Sequence, residues 1–419
     1  MAHLEEDPAR KDLLVLRLYY LLWIGGGGFL APFYTLFLVQ RGLSGAQVGL
    51  LGTIGAAASL VIAPLWSRLA ARASNPQRLM QYGLAAGAVC LLLLGRQSLF
   101  AWIALITLIQ TLVSAGLDPL SSNLAFRVSN AGQAGFGTVR LFGSLGWVLS
   151  TLLSGVLVER LGLYAAFAGN GLALFLAALF LGWISLGSGD SLPTHGGEEP
   201  ASFARLILDL LHNPVMVLFA LANVLSWFLT LGAGQFEPVF LARLGASAEL
   251  IALANTIGAL VEMPAMIWAD RFIRRRGSVM GLQLGWLVIA LSKLFVIVWP
   301  TVPAVMISHL VGGVSTSLNA VGYVDFIGER TGESQRPLVF AIFSVSLHNL
   351  VNLVASPASG ALFDLWGPYN LYILAVVGCL ATMGVFALGM RAERHAGAPA
   401  AGRPQPLPPQ QGGDGAGCD

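Results

Sequence analysis

The stretch Phe37-Leu38-Val39-Gln40-Arg41-Gly42-Leu43-Ser44-Gly45-Ala46-Gln47-Val48-Gly49-Leu50-Leu51-Gly52-Thr53-Ile54-Gly55-Ala56 returns 203 residues later. The second copy keeps Phe240-Leu241, Gly245, Ser247, Leu253 and Thr256-Ile257-Gly258-Ala259, and Arg271 falls where Arg68 stands in the first. In each copy a long apolar run follows, and a basic segment ends it. The run is too continuous for the one-sided stripe of a soluble helix, and at about 1.5 Å per residue it is long enough to cross a membrane. Identities among Gly, Ala and Leu are common in such helices, but the matched place of the two copies makes duplication the better reading.

Composition extends that reading to the whole chain. Of 419 residues only 44 are charged, 11%, while 56% are hydrophobic, and the mean hydropathy is +0.74. Soluble chains carry about 25% charged residues, so this set cannot dress a folded surface in water. A cytosolic enzyme, a nucleic-acid binder and a disordered scaffold are excluded. The 50 glycines suit membrane helices, where Gly and Pro are more frequent than in soluble ones. Cys90, Cys379 and Cys418 are too few and too scattered for a disulfide or zinc framework. The first apolar run lacks a small-residue cleavage site and reads as a retained helix, not a signal peptide.

Spans fall near 14–39, 45–69, 78–96, 99–127, 137–158, 163–187, 214–241, 249–270, 278–298, 302–327, 338–363 and 368–390. The expected fold is therefore an all-α polytopic membrane protein of twelve transmembrane helices in two six-helix bundles. Its expected parts are an N-terminal arm (1–13), a first bundle (14–187), a polar connector with a short amphipathic piece (188–213), a second bundle (214–390) and a disordered tail (391–419). Arginines cluster in the even connections, at Arg68, Arg72, Arg78, Arg127, Arg205, Arg271, Arg274, Arg275, Arg276, Arg330 and Arg336. Odd connections hold at most one each. By the positive-inside rule both termini are expected in the cytoplasm, with the protein multi-pass in the plasma (inner) membrane.

Ionisable groups inside spans are costly and each is a functional candidate: Asp118, Arg140, Glu237, Glu262, Lys293, His309 and His348. In the fifth span Arg140, Ser144 and Trp147 share one helix face, with Trp147 about 10 Å further along the axis than Arg140. A planar cation and a flat ring can there bind a carboxylate or hydroxyls and stack on a ring. The alternative is an Arg140 that snorkels to the interface and a Trp147 packed against lipid. Glu262, among Val261, Met263 and Trp268, suits a carrier of protons. Lys293 is its counter-charge or pairs with Asp118. Glu237, beside Pro238 near a span end, is expected to meet water. His348 and Asn352, one turn apart, read as interhelical glue.

Arg140-Leu141-Phe142-Gly143-Ser144-Leu145-Gly146-Trp147 resembles the Arg-x-x-Gly-Ser-x-Gly signature of the phenylpropionate-permease and nucleoside-symporter branch of the major facilitator superfamily. It is also similar to the corresponding segment of lactose permease. The resemblance extends to Arg41-Gly42-Leu43-Ser44-Gly45-Ala46-Gln47-Val48-Gly49 and covers most of 14–390. It implies substrate binding by Arg140 and ring stacking on Trp147. Ser308-His309-Leu310-Val311-Gly312-Gly313 resembles the family's Leu-His-x-x-x-Gly stretch, implying substrate binding or proton coupling at His309, whose imidazole ordinarily titrates near pH ~6.5; a structural histidine is the other reading. Glu262-Met263-Pro264 is similar to the family's Glu-Ile-Pro segment. Asp270, Arg271, Arg274, Arg275 and Arg276 keep its cytoplasmic switch loop, while the first half has Ser67 where an acid is expected. The family's acid of the fourth helix falls on Ser122, and Asp118, one turn earlier, can substitute.

The expected function is secondary transport of a small organic solute (sugar, nucleoside or aromatic acid) by alternating access, as a proton-coupled symporter. Substrate contacts are expected at Arg140, Trp147, Ser144, His309, Tyr20 and Trp23, and proton coupling or gating at Glu262, Asp118, His309 and Lys293. No catalytic residue, metal or cofactor is expected, and no phosphate-binding Gly-x-x-x-x-Gly-Lys-Ser/Thr element is found to power primary transport. The partners are solute, protons and lipid, with no nucleic acid, and the chain is expected to be a monomer. Aromatics such as Tyr19, Tyr20, Trp23 and Trp227 also fit the alternative of efflux of amphipathic compounds by proton antiport. A non-transporting receptor is the alternative of another class.

Overall fold

Gly42 and Gly245 have φ of 85° and 84°, a backbone that favours glycine over residues with a Cβ. Each turn leads into a serine that caps the next helix. The Ser44 hydroxyl accepts from the Gln47 N–H at 3.2 Å while the Gln47 side chain accepts from the Ser44 N–H, and Ser247 accepts from the Leu250 N–H at 3.3 Å. The repeated Gly and Ser are thus the turn and the cap of one duplicated unit. The short helices before the two turns, Tyr34–Gln40 and Glu237–Arg243, also lie 203 residues apart.

The computed structural model describes residues 8–73, 75–131, 135–185, 200–333 and 335–395. The start of the N-terminal arm, residues 186–199 at the start of the connector and the tail from 396 lie outside the described residues. The described part is all-α. Helix α1 is Pro8–Leu30, continued by Tyr34–Gln40; α2 is Gly45–Arg72; α3 is Pro76–Leu94; α4 is Phe100–Ser114 continued by Leu117–Ala131; α5 is Phe136–Leu161 and α6 is Tyr164–Leu181. A surface helix, Pro200–His212, precedes α7 (Pro214–Gln235, continued by Glu237–Arg243), α8 (Ala248–Arg276), α9 (Ser278–Val298) and α10 (Val302–Arg330). Helix α11 (336–366) passes through a π-helical turn at Ile342–Leu347, and Gly367, φ 75°, separates it from α12 (368–395). Among the described residues eleven segments are long and apolar enough to span a membrane, and the last, 56 residues long, is divided at Gly367. Twelve crossings return the chain to the face from which it starts, called here the terminal face.

Two sequence expectations need correction. Helix α1 begins at Pro8, inside the stretch read as an arm, because buried Asp12 accepts from the Ser185 N–H at 3.1 Å and hydroxyl at 2.8 Å. The segment read as a switch loop is helical: Asp270 and Arg274 pair at 2.9 Å one turn apart, α8 continues through Arg276, and Gly277 (φ 87°) alone leads into α9.

The halves meet along two helix pairs, α2 with α11 and α5 with α8. Small residues permit this, as is usual where no water drives helix association: a Cβ on Gly360 would collide with the Gly45 carbonyl, and one on Gly155 would stand 2.8 Å from Ala252 Cβ. At the face opposite the termini each pair is sealed by a carboxylate on backbone N–H groups. Asp364 of α11 accepts from the Gly45 and Ala46 N–H groups of α2 at 2.6 and 2.9 Å, and Glu159 of α5 accepts from the Ala248 N–H of α8 at 2.7 Å. One apolar cluster, including Phe37, Phe167, Phe236, Phe240 and Phe363, runs through both halves at that face. Toward the terminal face each half keeps a cluster of its own.

Candidate functional site between and within the halves

Helices α1 and α5 approach closely because Gly146 has no side chain; a Cβ there would strike the Leu21 carbonyl. The Trp147 ring lies over Gly27, where an added Cβ would be 3.0 Å from ring carbon Cζ3. The indole therefore stands beside Ile24 and faces α8. Ile24, Ser144 and Trp147 of the first half and Ala259, Glu262, Met263 and Met266 of the second line a pocket of about 270 Å³ between the halves. Arg140, one turn nearer the terminal face, is exposed and does not line it.

The aromatic group on α1 is arranged around Trp23. Tyr19 stacks on it with centroids 5.7 Å apart and Tyr20 meets it edge-on at 5.5 Å. Tyr19 is held by Ser121 at 2.6 Å. Tyr20, expected to touch substrate, is only 1% exposed and supports Trp23 instead. Trp23 lines a cavity of about 560 Å³ inside the first half with Thr107, Gln110, Ser114, Asp118 and Asn170. Asp118 thus stands in a different cavity from Lys293.

In the second half four helices converge on Glu237. His309 Nε2 of α10 meets Oε1, while Lys293 Nζ of α9 and Tyr372 Oη of α12 donate to Oε2 at 3.2 and 2.9 Å. The Lys293 ammonium also stands 5.1 Å from the centre of the Tyr372 ring, a cation–π distance. Glu237, expected at water, is 7% exposed. It is the partner of Lys293, in place of Glu262 or Asp118. A carboxylate inside an apolar 30-residue segment, Pro214–Arg243, was the available signal, and its nearness to the span end masked it. A cavity of about 450 Å³ adjoins this group, lined by Thr230, Asn255, Glu262, Lys293, His309 and Thr316 among others.

Glu262 lines both this cavity and the pocket that holds Ser144 and Trp147. Pro264 follows it inside α8, and the Glu262 carbonyl accepts from the Ser317 hydroxyl at 3.0 Å. His348 lies edge-on to Trp227 at 4.8 Å, a packing contact within the second half. The arrangement sets a flat ring and a carboxylate on one pocket between the halves, and the same carboxylate on the cavity beside His309. Among the described residues no group of three or more His, Cys, Asp or Glu forms a metal site.

The sequence pattern of the MFS_1 like family matches residues 13–374. The chain belongs to the MFS_1 like family. Curated relatives of this MFS_1 like chain are transporters, not enzymes. It is 25% identical over 391 residues to the maltose permease of Geobacillus stearothermophilus, covering 93% of this chain and 97% of the relative. It is 31% identical over 179 residues to a probable 3-phenylpropionic acid transporter of Escherichia coli (strain K12), covering 40% and 44%. A crystal structure of a mutant of the nucleoside transporter NupG superposes with a TM-score of 0.80 at 12% identity, covering 90% of this chain and 99% of that one. At that identity the likeness speaks for the fold, that of a major facilitator transporter.

Proposed function

We propose that this MFS_1 like protein is a proton-coupled symporter that binds a small organic solute between its halves and releases it by alternating access. The solute stacks on Trp147 and bonds to Ser144 and Glu262, with its end toward the terminal face on the Arg140 guanidinium. The proton travels on Glu262, with His309 and the Lys293–Glu237 pair behind it. One observation carries the reading: the Glu262 side chain borders the solute pocket on one side and the His309 cavity on the other. A group in that place can make solute affinity depend on its protonation, which is what coupling requires. The arginine-rich even connections support a cytoplasmic terminal face, and on that reading the arrangement described is sealed on the outside. The maltose, nucleoside and phenylpropionate relatives supply three solute classes to test.

The deciding experiment is flux into proteoliposomes of maltose, uridine and 3-phenylpropionate, with and without an inward proton gradient. Accumulation of one of them that needs the gradient is expected. Equal flux with and without it would remove the proton from the mechanism.

Two substitutions test the solute contacts. Trp147→Phe should keep part of the affinity and Trp147→Ala should lose most of it, since stacking needs a ring face more than an indole N–H. Equal binding by both variants and the wild type would place Trp147 outside the site. Arg140→Lys keeps the charge but not the planar fork. Loss of a charged hydrogen bond of about 1.5–3 kcal/mol predicts about tenfold or more weaker binding. If Lys serves as well as Arg in direct binding, Arg140 only reaches the interface.

A further inference from the structure

The pocket at Trp147 has a counterpart built from the other copies of the same helices. Helices α1 and α2 match α7 and α8 at 203 residues, but the positive-φ glycines that end α5 and α11, Gly162 and Gly367, lie 205 apart. So do the sealing carboxylates Glu159 and Asp364. With these two offsets Ser144, Trp147, Ala259 and Glu262 correspond to Asn349, Asn352, Ala56 and Ser59. All four counterparts line one cavity of about 390 Å³ between the halves, together with Gln235 and Ser356. No charged side chain lines it.

Two of the three amides keep an unspent acceptor. Gln235 Oε1 and Asn352 Oδ1 are buried with no hydrogen-bond partner, whereas Thr53, one turn above Ala56 on the same helix, is bonded across the interface to the Leu353 carbonyl at 3.0 Å. Buried polar atoms are almost always paired, and unpaired ones call for an explanation such as a ligand or water. A carboxamide offers both an acceptor and two donors, the set that matches hydroxyl groups. It offers no charge to balance a carboxylate.

We propose that Asn349, Asn352 and Gln235 form the second half of the solute site, across the pseudo-two-fold axis from Trp147, and select an uncharged, hydroxylated solute. This rests on the Trp147 pocket being the solute site. The aromatic half then takes the face of the solute's ring and the amide half its hydroxyls. Duplication supplies the two facing walls, and divergence of the residues at equivalent positions makes them chemically different.

The test is equilibrium binding of maltose, uridine and 3-phenylpropionate at up to millimolar concentration to the purified full chain, as wild type, Trp147→Ala, Asn349→Ala and Asn352→Ala. Wild type is expected to bind maltose or uridine more tightly than 3-phenylpropionate. Each amide-to-alanine change should weaken that binding about threefold to tenfold, the worth of one neutral hydrogen bond. Asn352→Asp, equal in size, keeps acceptor oxygens but loses the N–H donors, and it decides the matter if an alanine variant is not monodisperse: it too should bind the hydroxylated probe more weakly. If Trp147→Ala loses binding while the three amide variants do not, the amide half-site is overturned and the symporter reading stands. If neither Trp147 nor the amides matter, both fall. Preference for 3-phenylpropionate, or binding of none of the three, overturns the assigned solute class.

Discussion

Proteoliposomes carrying Glu262→Gln are expected to lose accumulation driven by a pH gradient while still exchanging labelled for unlabelled solute. Glutamine keeps the volume and a hydrogen-bonding end toward Trp147 and Ser144, so the pocket between the halves stays formed. It cannot take up or release a proton. One pH unit is worth about 1.4 kcal/mol, so a symporter moving one proton per solute reaches about tenfold accumulation in such a gradient, and the variant should fall to about onefold. Accumulation that survives in Glu262→Gln would move coupling elsewhere, with Asp118 in the first-half cavity next to be tested.

The second large effect is on stability. Glu237→Leu strands the Lys293 ammonium, removes the acceptor of Tyr372 Oη and leaves His309 without its carboxylate. Breaking a buried pair from one side costs about 3–5 kcal/mol, while replacing both partners by apolar residues is often neutral. Thermal unfolding of purified protein should therefore show a large loss for Glu237→Leu and recovery of most of it in Glu237→Leu with Lys293→Met. If the double variant unfolds no later than the single one, the pair is not an energetic unit. Transport should stay impaired in the double variant even when stability returns, because His309 still lacks its partner.

Much of the frame was legible in the sequence because it rests on local rules. Gly42 with Gly245 and Ser44 with Ser247 recur because a positive-φ turn and a helix cap each restrict residue choice, so duplication leaves identical letters there. Apolar length marks spans without reference to their neighbours. Partnerships are different in kind. The Glu237 group draws one residue from each of four helices, separated by up to 135 positions, and nothing local distinguishes it from an acid at a water-facing end. Asn352 reads as interhelical glue in the sequence and Asn349 carries no signal there, because the two residues added between the copies of α2 and α5 hide their match to Trp147 and Ser144. Tyr20 differs from its expectation because aromatic character within a span does not say which rings a neighbouring helix covers.

The carboxylate seals at Asp364 and Glu159 place an unusual constraint on how this protein can drift. Their partners are the main-chain N–H groups of Gly45, Ala46 and Ala248, and every residue but proline supplies such a group. Substitution at Ala46 or Ala248 is therefore nearly silent for the hydrogen bonds, whereas a Cβ on Gly45 would collide with the Gly360 carbonyl and stand 2.9 Å from Asp364 Oδ1, so Gly45 and the two acids bear most of the selective burden. Each such contact at a helix N-terminus contributes about 0.3–1 kcal/mol. A solute bound at millimolar affinity releases about 4 kcal/mol. The share of the resting bias carried by these two seals is thus one that a solute preferring the other state can offset, and it can be retuned by altering two codons without disturbing either binding wall.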